Sequence, residues 1–216
     1  MTNRFTDDLR AASEPDWTET VGHRFTKDLF GGTVPPEVMA GYLVQDYRFL
    51  DSFLGLLGAA TAGADRLEAR LRLGRFVGMV SGDENTYFLR AFAALGVTDA
   101  QHAAMPDTHA TAGFKAIMQE AAATRSYPAA LSVLTVAEWS YLDWASRAPR
   151  PLPETFVHAE WITLHNDEDF QDFVAFLRAE LDRVGPPEAE RCHDLFVRAV
   201  ALERAFFDAA YEHPLT

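Results

Sequence analysis

The sequence predicts an all-α protein built around a single core, and three observations lead there. Apolar residues recur at helical spacing in nearly every segment. No stretch alternates apolar and polar residues for the length of a typical strand. Glycines and prolines punctuate the chain at helix-length intervals, and none of these breaks is long enough for an interdomain linker. A chain of 216 residues suits one well-buried domain, residues 1–216, better than two.

Local signals place each element. A first helix near Asn3 to Ser13 leads through Trp17 into a short amphipathic helix over Thr18 to Leu29, which Gly31, Gly32, Pro35 and Pro36 terminate. Thr33 is the expected cap of the next helix, with proline in its first turn. That helix runs through Asp46 to about Thr61 and ends at Gly63. Asp65 opens a long helix to about Leu95, with a bend at Gly82. On its first half, Gly74 and Gly78 are expected to mark close helix packing.

Gly96, Thr98 and Pro106 delimit a loop with a short helical turn, and Asp107 or Thr108 starts a helix to about Ala123. Pro128 lies in the first turn of the following helix, which reaches Ala148. The connector PRPLP, Pro149 to Pro153, precedes helices over Glu154 to His165 and Asp167 to Val184. Gly185 to Pro187 force the last turn before a closing helix from Glu188 to about Tyr211.

Composition excludes several function classes. Lys plus Arg number 19 against 32 Asp plus Glu, and the net charge of −13 repels both a phosphate backbone and an anionic membrane surface. Neither nucleic acid nor membrane is an expected partner. Cys192 is the only cysteine, so no disulfide can form within the chain, and nothing resembles a CxxC metal site. A reducing cytoplasm fits this usage. The first residues lack the basic start and apolar run of a signal peptide, and no apolar run reaches about 18 residues.

The chemistry lies in acids on apolar faces. In GYLVQDYRFLDSF, Tyr42, Asp46, Phe49 and Phe53 share one helical face. Glu84 falls within the stripe Leu73, Phe76, Val80, Tyr87 and Phe88, while Glu138 falls among Leu131, Leu134, Tyr141 and Leu142. Glu203 lies among Phe196, Ala199, Phe206 and Ala210. Four helices thus each bring one acid inward, where an unpaired carboxylate is costly without a partner, a proton or a ligand.

A di-iron site would place histidine three residues after two of these acids. Here those positions hold Phe49, Tyr87, Tyr141 and Phe206, so the pattern makes a box for a flat heteroaromatic molecule, with rings to stack it and acids to bond its nitrogens. Glu190 and His193 form the sole Glu-x-x-His, and no metal or organic cofactor is expected. The plainer alternative makes each acid a boundary residue paired with an arginine such as Arg48 or Arg204. His165 reads as a helix-end cap or a base, and Cys192 as a packed thiol.

Three segments, YLVQDYRFL at Tyr42 to Leu50, LTVAEWSYLDW at Leu134 to Trp144 and FVRAVALERAFFDAAY at Phe196 to Tyr211, resemble the signature regions of the TenA family, also called thiaminase II. The resemblance spans nearly the whole chain. It implies a heme-oxygenase-like helical bundle, commonly a homotetramer, with a pocket for the aminopyrimidine of thiamin or its breakdown products. Asp46 matches the family aspartate that binds the exocyclic amino group and neighbouring ring nitrogen, and Glu203 the glutamate that handles a ring-nitrogen proton. Phe206 lies at the aromatic position one turn on, Tyr141 matches a pocket tyrosine, and Phe49 and His165 fall where many members have tyrosines. Glu84 and Glu138 rest mainly on the spacing argument.

One departure shapes the expected activity. Members with a cysteine nucleophile carry it where this chain has Ala137, so the chain resembles the cysteine-lacking, glutamate-type branch. The resemblance implies hydrolytic release of 4-amino-5-hydroxymethyl-2-methylpyrimidine from an amino- or formylamino-methylpyrimidine, with Glu138 or Glu84 activating water. A non-catalytic pyrimidine-binding or regulatory protein, or a PqqC-like oxygenase on the same scaffold, are the alternatives.

Overall fold

The computed structural model describes residues 4–216, so the expected helix start at Asn3 lies outside the described residues. Among these residues every regular element is helical. Three short helices come first: α1 (Phe5–Ala12), α2 (Asp16–Val21) and α3 (Arg24–Gly31). The long α4 (Pro36–Gly63) follows, then α5 (Leu67–Met79), a π-helical turn (Val80–Glu84) and α6 (Asn85–Leu95). The remainder is α7 (Asp99–Ala104), α8 (His109–Ala123), α9 (Tyr127–Ala145), α10 (Phe156–Leu164), α11 (Glu168–Val184) and α12 (Ala189–Glu212).

The central post is α9, in which nearly every residue is buried. A helix apolar on all sides must be covered on all sides, and α4, α8, α11 and α12 pack around it. Its start is fixed by Ser126, whose side chain accepts the Ala129 N–H at 3.2 Å, followed by Pro128 in the first turn. The chain's end crosses α4 at Gly41, where a Cβ would meet the His213 carbonyl at 2.9 Å and the Leu215 nitrogen at 3.0 Å. That close approach lets the Leu215 N–H donate to the Glu37 carbonyl at 2.9 Å. No helix among the described residues is long and apolar enough to cross a membrane.

Several sequence expectations are corrected. The helix expected over Thr18 to Leu29 is two, because His23 Nδ1 accepts the Phe25 N–H at 3.0 Å and caps a fresh start for α3. Thr33 does not cap α4: its hydroxyl donates to the Asp28 carbonyl at 3.2 Å, helping to close α3, and Pro35 takes the N-cap position. Gly74 and Gly78 mark no close packing, since a Cβ at either meets nothing within 4 Å. The helix expected to reach Ala148 stops at Ala145, and α10 begins at Phe156 with Thr155 in its N-cap position.

The bend at Gly82 takes the form of the π-helical turn, with Glu84 as its last residue. The Ser81 and Thr86 hydroxyls donate to the Val77 and Gly82 carbonyls, both at 2.7 Å, a back-bonding that bends helices. Tyr47 on α4 donates to Asn85 Oδ1 at 3.1 Å, tying the residue after Asp46 to the residue after Glu84.

Candidate active site

The four inward acids meet. Asp46, Glu84, Glu138 and Glu203 line one cavity together with Phe49, Leu50, Phe53, Phe114, Met118, Ala137, Tyr141, Trp161 and His165. Its volume is about 450 Å³. It is a slot between rings, within the size range of small-molecule sites.

The electrostatics are unusual because no cation enters. Arg48 Nη1 binds Asp107 at 2.9 Å, and Arg204 Nη1 binds Asp16 and Glu19, both at 2.8 Å, so neither candidate partner reaches the box. The arginine-paired alternative is thereby excluded. Burial, then the charge of Glu84, holds the Asp46 carboxyl well above the usual range, partly offset by the Tyr42 hydroxyl. Asp46 is 5 % exposed and its Oδ2 has no partner. Burial followed by the charges of Asp46 and Glu138 raises Glu203, and burial followed by Glu84 and Asp46 raises Glu138.

Glu84 differs. Burial alone lifts its carboxyl to about 7. The residue keeps some accessible surface and lines a second cavity as well as this one. At neutral pH this carboxyl is poised between its two forms, and burial also raises its three neighbours above the usual carboxylate range.

Aromatic side chains build the walls. Tyr42 and Tyr141 hydroxyls bond at 2.8 Å, and Trp161 Nε1 donates to the Tyr42 oxygen at 3.3 Å, fixing Tyr141 in place. His165 Nδ1 lies 2.8 Å from the Trp161 carbonyl; a carbonyl only accepts, so this nitrogen carries the hydrogen and Nε2 is left as an acceptor. Burial lowers the His165 pKa to about 4, which keeps the ring neutral at pH 7. Phe49 meets Phe114 and Phe206 with ring centroids 5.6 and 5.5 Å apart.

Phe206 backs that wall without lining the cavity. The other seven residues singled out from the sequence, Asp46, Glu84, Glu138, Glu203, Phe49, Tyr141 and His165, all line it. Sequence reasoning missed Trp161, Phe114 and Met118. Trp161 lies one helical turn before His165, and Phe114 and Met118 share one face of α8, a spacing that does not separate a cavity wall from a core. Ala137 lines the cavity, whereas Cys192 is buried outside it, its thiol 3.8 Å from the Gly185 carbonyl and its pKa raised by burial. Glu190 and His193 are both exposed on α12. Among the described residues no group of three His, Cys, Asp or Glu could hold a metal ion.

Residues 10–213 match the model of the TENA/THI-4/PQQC family. An aminopyrimidine aminohydrolase from Helicobacter pylori is 21% identical over 203 residues, which cover 91% of this chain and 93% of that protein. A TenA homologue from P. horikoshii OT3 superposes with a TM-score of 0.87 at 22% identity, covering 98% of this chain and all of the other (100%). A TenA family transcription regulator from Silicibacter sp. TM1040 gives 0.83 at 20% identity, covering 96% of each chain. At these identities the likeness shows the fold, the heme-oxygenase-like helical bundle expected from the sequence.

Proposed function

The chain belongs to the TENA/THI-4/PQQC family, and from that premise we propose that it is a TenA-type hydrolase that releases 4-amino-5-hydroxymethyl-2-methylpyrimidine from an amino- or formylamino-methylpyrimidine. One observation carries the reading: four carboxylates enclosed by aromatic rings, with no cation to balance them. A flat, basic heterocycle supplies what they lack. The name of the Helicobacter pylori relative agrees with this substrate class.

In this reading Asp46, with its unpartnered oxygen, takes the exocyclic amino group and adjacent ring nitrogen. Glu203, whose carboxyl burial raises well above the usual range, gives a proton to the other ring nitrogen, draws electrons from the ring and takes the proton back as the product forms. Phe49 and Tyr141 flank the ring, and His165 Nε2 accepts a hydrogen bond. Glu84, lifted to about 7, is the base for water, while burial and the charges of Glu84 and Asp46 raise Glu138 well above the usual range, so unlike environments divide the acid and base roles.

The bonds balance without a redox partner. The methylene C–N bond breaks with its electron pair on nitrogen, a C–O bond forms from water, and the proton lost by water passes through Glu84 to the departing amine. The Ala137 methyl cannot act as a nucleophile, so no covalent intermediate forms there and thiamin is not the expected substrate. The scheme calls for no metal or organic cofactor. A homo-oligomer, a tetramer by family resemblance, in the cytoplasm completes the reading.

The test offers thiamin, the aminomethylpyrimidine and its formyl derivative separately and follows the hydroxymethylpyrimidine by chromatography. Release from an aminopyrimidine but not from thiamin, reduced about 10²–10⁴-fold in Glu203→Gln, is the expected result. Product binding without turnover of any compound would overturn catalysis in favour of a binding protein, a reading that Ala137 at the cavity wall makes the natural second choice.

A further inference from the structure

Behind Glu84 lies a second cavity of about 400 Å³, lined by Phe76, Met79, Val80, Asp83, Glu84, Leu164, His165, Asp167 and Phe170. Glu84 and His165 line both cavities, so these two side chains form the common wall. The π-helical turn creates the arrangement: Val80, Asp83 and Glu84 all belong to it, and Glu84 at its end faces the first cavity as well.

Glu84, the base for water in the reading above, belongs to that common wall, so the carbon that the water attacks lies against it and the group that leaves this carbon has the second chamber beside it.

We propose that this second chamber is a leaving-group subsite, which receives whatever the amine nitrogen of the substrate carries and selects neutral or cationic, partly apolar groups over anionic ones. The inference rests on the hydrolase reading above. At about 400 Å³ the chamber has more room than ammonia needs. Its lining is mainly apolar, from Phe76, Met79, Val80, Leu164 and Phe170, and its charged members Asp83, Glu84 and Asp167 are all acids, with no lysine or arginine among them. An ammonium group is drawn to such a rim, whereas a phosphate or carboxylate is repelled. Met79, partly exposed at the wall, and Asp83, exposed on the turn, set size and charge preference respectively.

The experiment measures kcat/KM for 5-(aminomethyl)pyrimidines whose amine nitrogen carries hydrogen, benzyl or carboxymethyl. Wild type is compared with Met79→Trp, which fills the chamber, and Asp83→Lys, an exposed change that leaves packing intact. The expected result is at least a tenfold fall in the benzyl-to-unsubstituted ratio for Met79→Trp, and a severalfold rise in the carboxymethyl-to-benzyl ratio for Asp83→Lys. Ratios unchanged in both variants, with the unsubstituted amine still hydrolysed, would overturn the subsite alone. Failure of wild type to hydrolyse any member would overturn the hydrolase reading and the subsite with it.

Discussion

At the scale of single residues, the site is maintained against folding stability. A carboxyl whose pKa is higher in the folded chain binds more protons there than when unfolded, so stability is fully present below the unfolded value and declines as pH rises through the folded one. For Glu84 those values are 4.5 and about 7. Discounted for the solvent in the two cavities, the loss is on the order of 2 kcal/mol by pH 8. Glu84→Gln should therefore melt about 4–8 °C above wild type at pH 8, with the gap closing toward pH 4.5; equal melting temperatures at both pH values would contradict the assignment. Most of these residues were legible in the sequence. An acid at helical spacing within an apolar stripe announces itself, which is how Asp46, Glu84, Glu138 and Glu203 were found. Trp161, Phe114 and Met118 were not, because an apolar residue on an apolar face looks the same whether it fills a core or lines a slot. Phe206 shows the complementary limit: spacing gives the face on which a ring lies, and says nothing of whether it is the first or second layer from the cavity.

At the scale of elements, helix boundaries were legible where capping chemistry was simple and not where it competed. Pro128 fell in the first turn of α9 as expected. Thr33 misled because its hydroxyl had a closer acceptor in the helix behind it, and His23 split one helix into two by acting as a cap. The π-helical turn was legible only as the bend expected at Gly82. The expected glycine packing on α5 failed in an informative way. Leu67, Leu71, Gly74 and Gly78 lie on one face of that helix; both leucines are exposed, at 69% and 55%, and both glycines look into open space. An apolar face left uncovered within one chain suits a contact between copies. Light scattering should therefore report a multiple of the 24.0 kDa chain, four by family resemblance, and Leu71→Asp should shift the protein toward smaller species; a wild-type monomer would contradict this.

At the scale of the whole molecule, architecture and site have one origin. The bundle surrounds α9, and the helices that cover it, α4, α8 and α12, are among those that supply walls and acids to the cavity. The all-helical class was legible because periodicity is a property of every segment. How five helices and one turn converge was not, since it depends on packing between distant parts of the chain. The net charge of −13 gives the exterior the same sign as the site, so basic and neutral small molecules approach without penalty while nucleic acid does not. The central claim is that the uncompensated acids exist to hold an aminopyrimidine. Calorimetric titration of 4-amino-5-hydroxymethyl-2-methylpyrimidine into wild type and Asp46→Asn tests it most directly. The account predicts saturable one-to-one binding by wild type, weakened at least about tenfold in the variant by loss of a charge-assisted hydrogen bond; no binding by wild type, or equal binding by both, would contradict it.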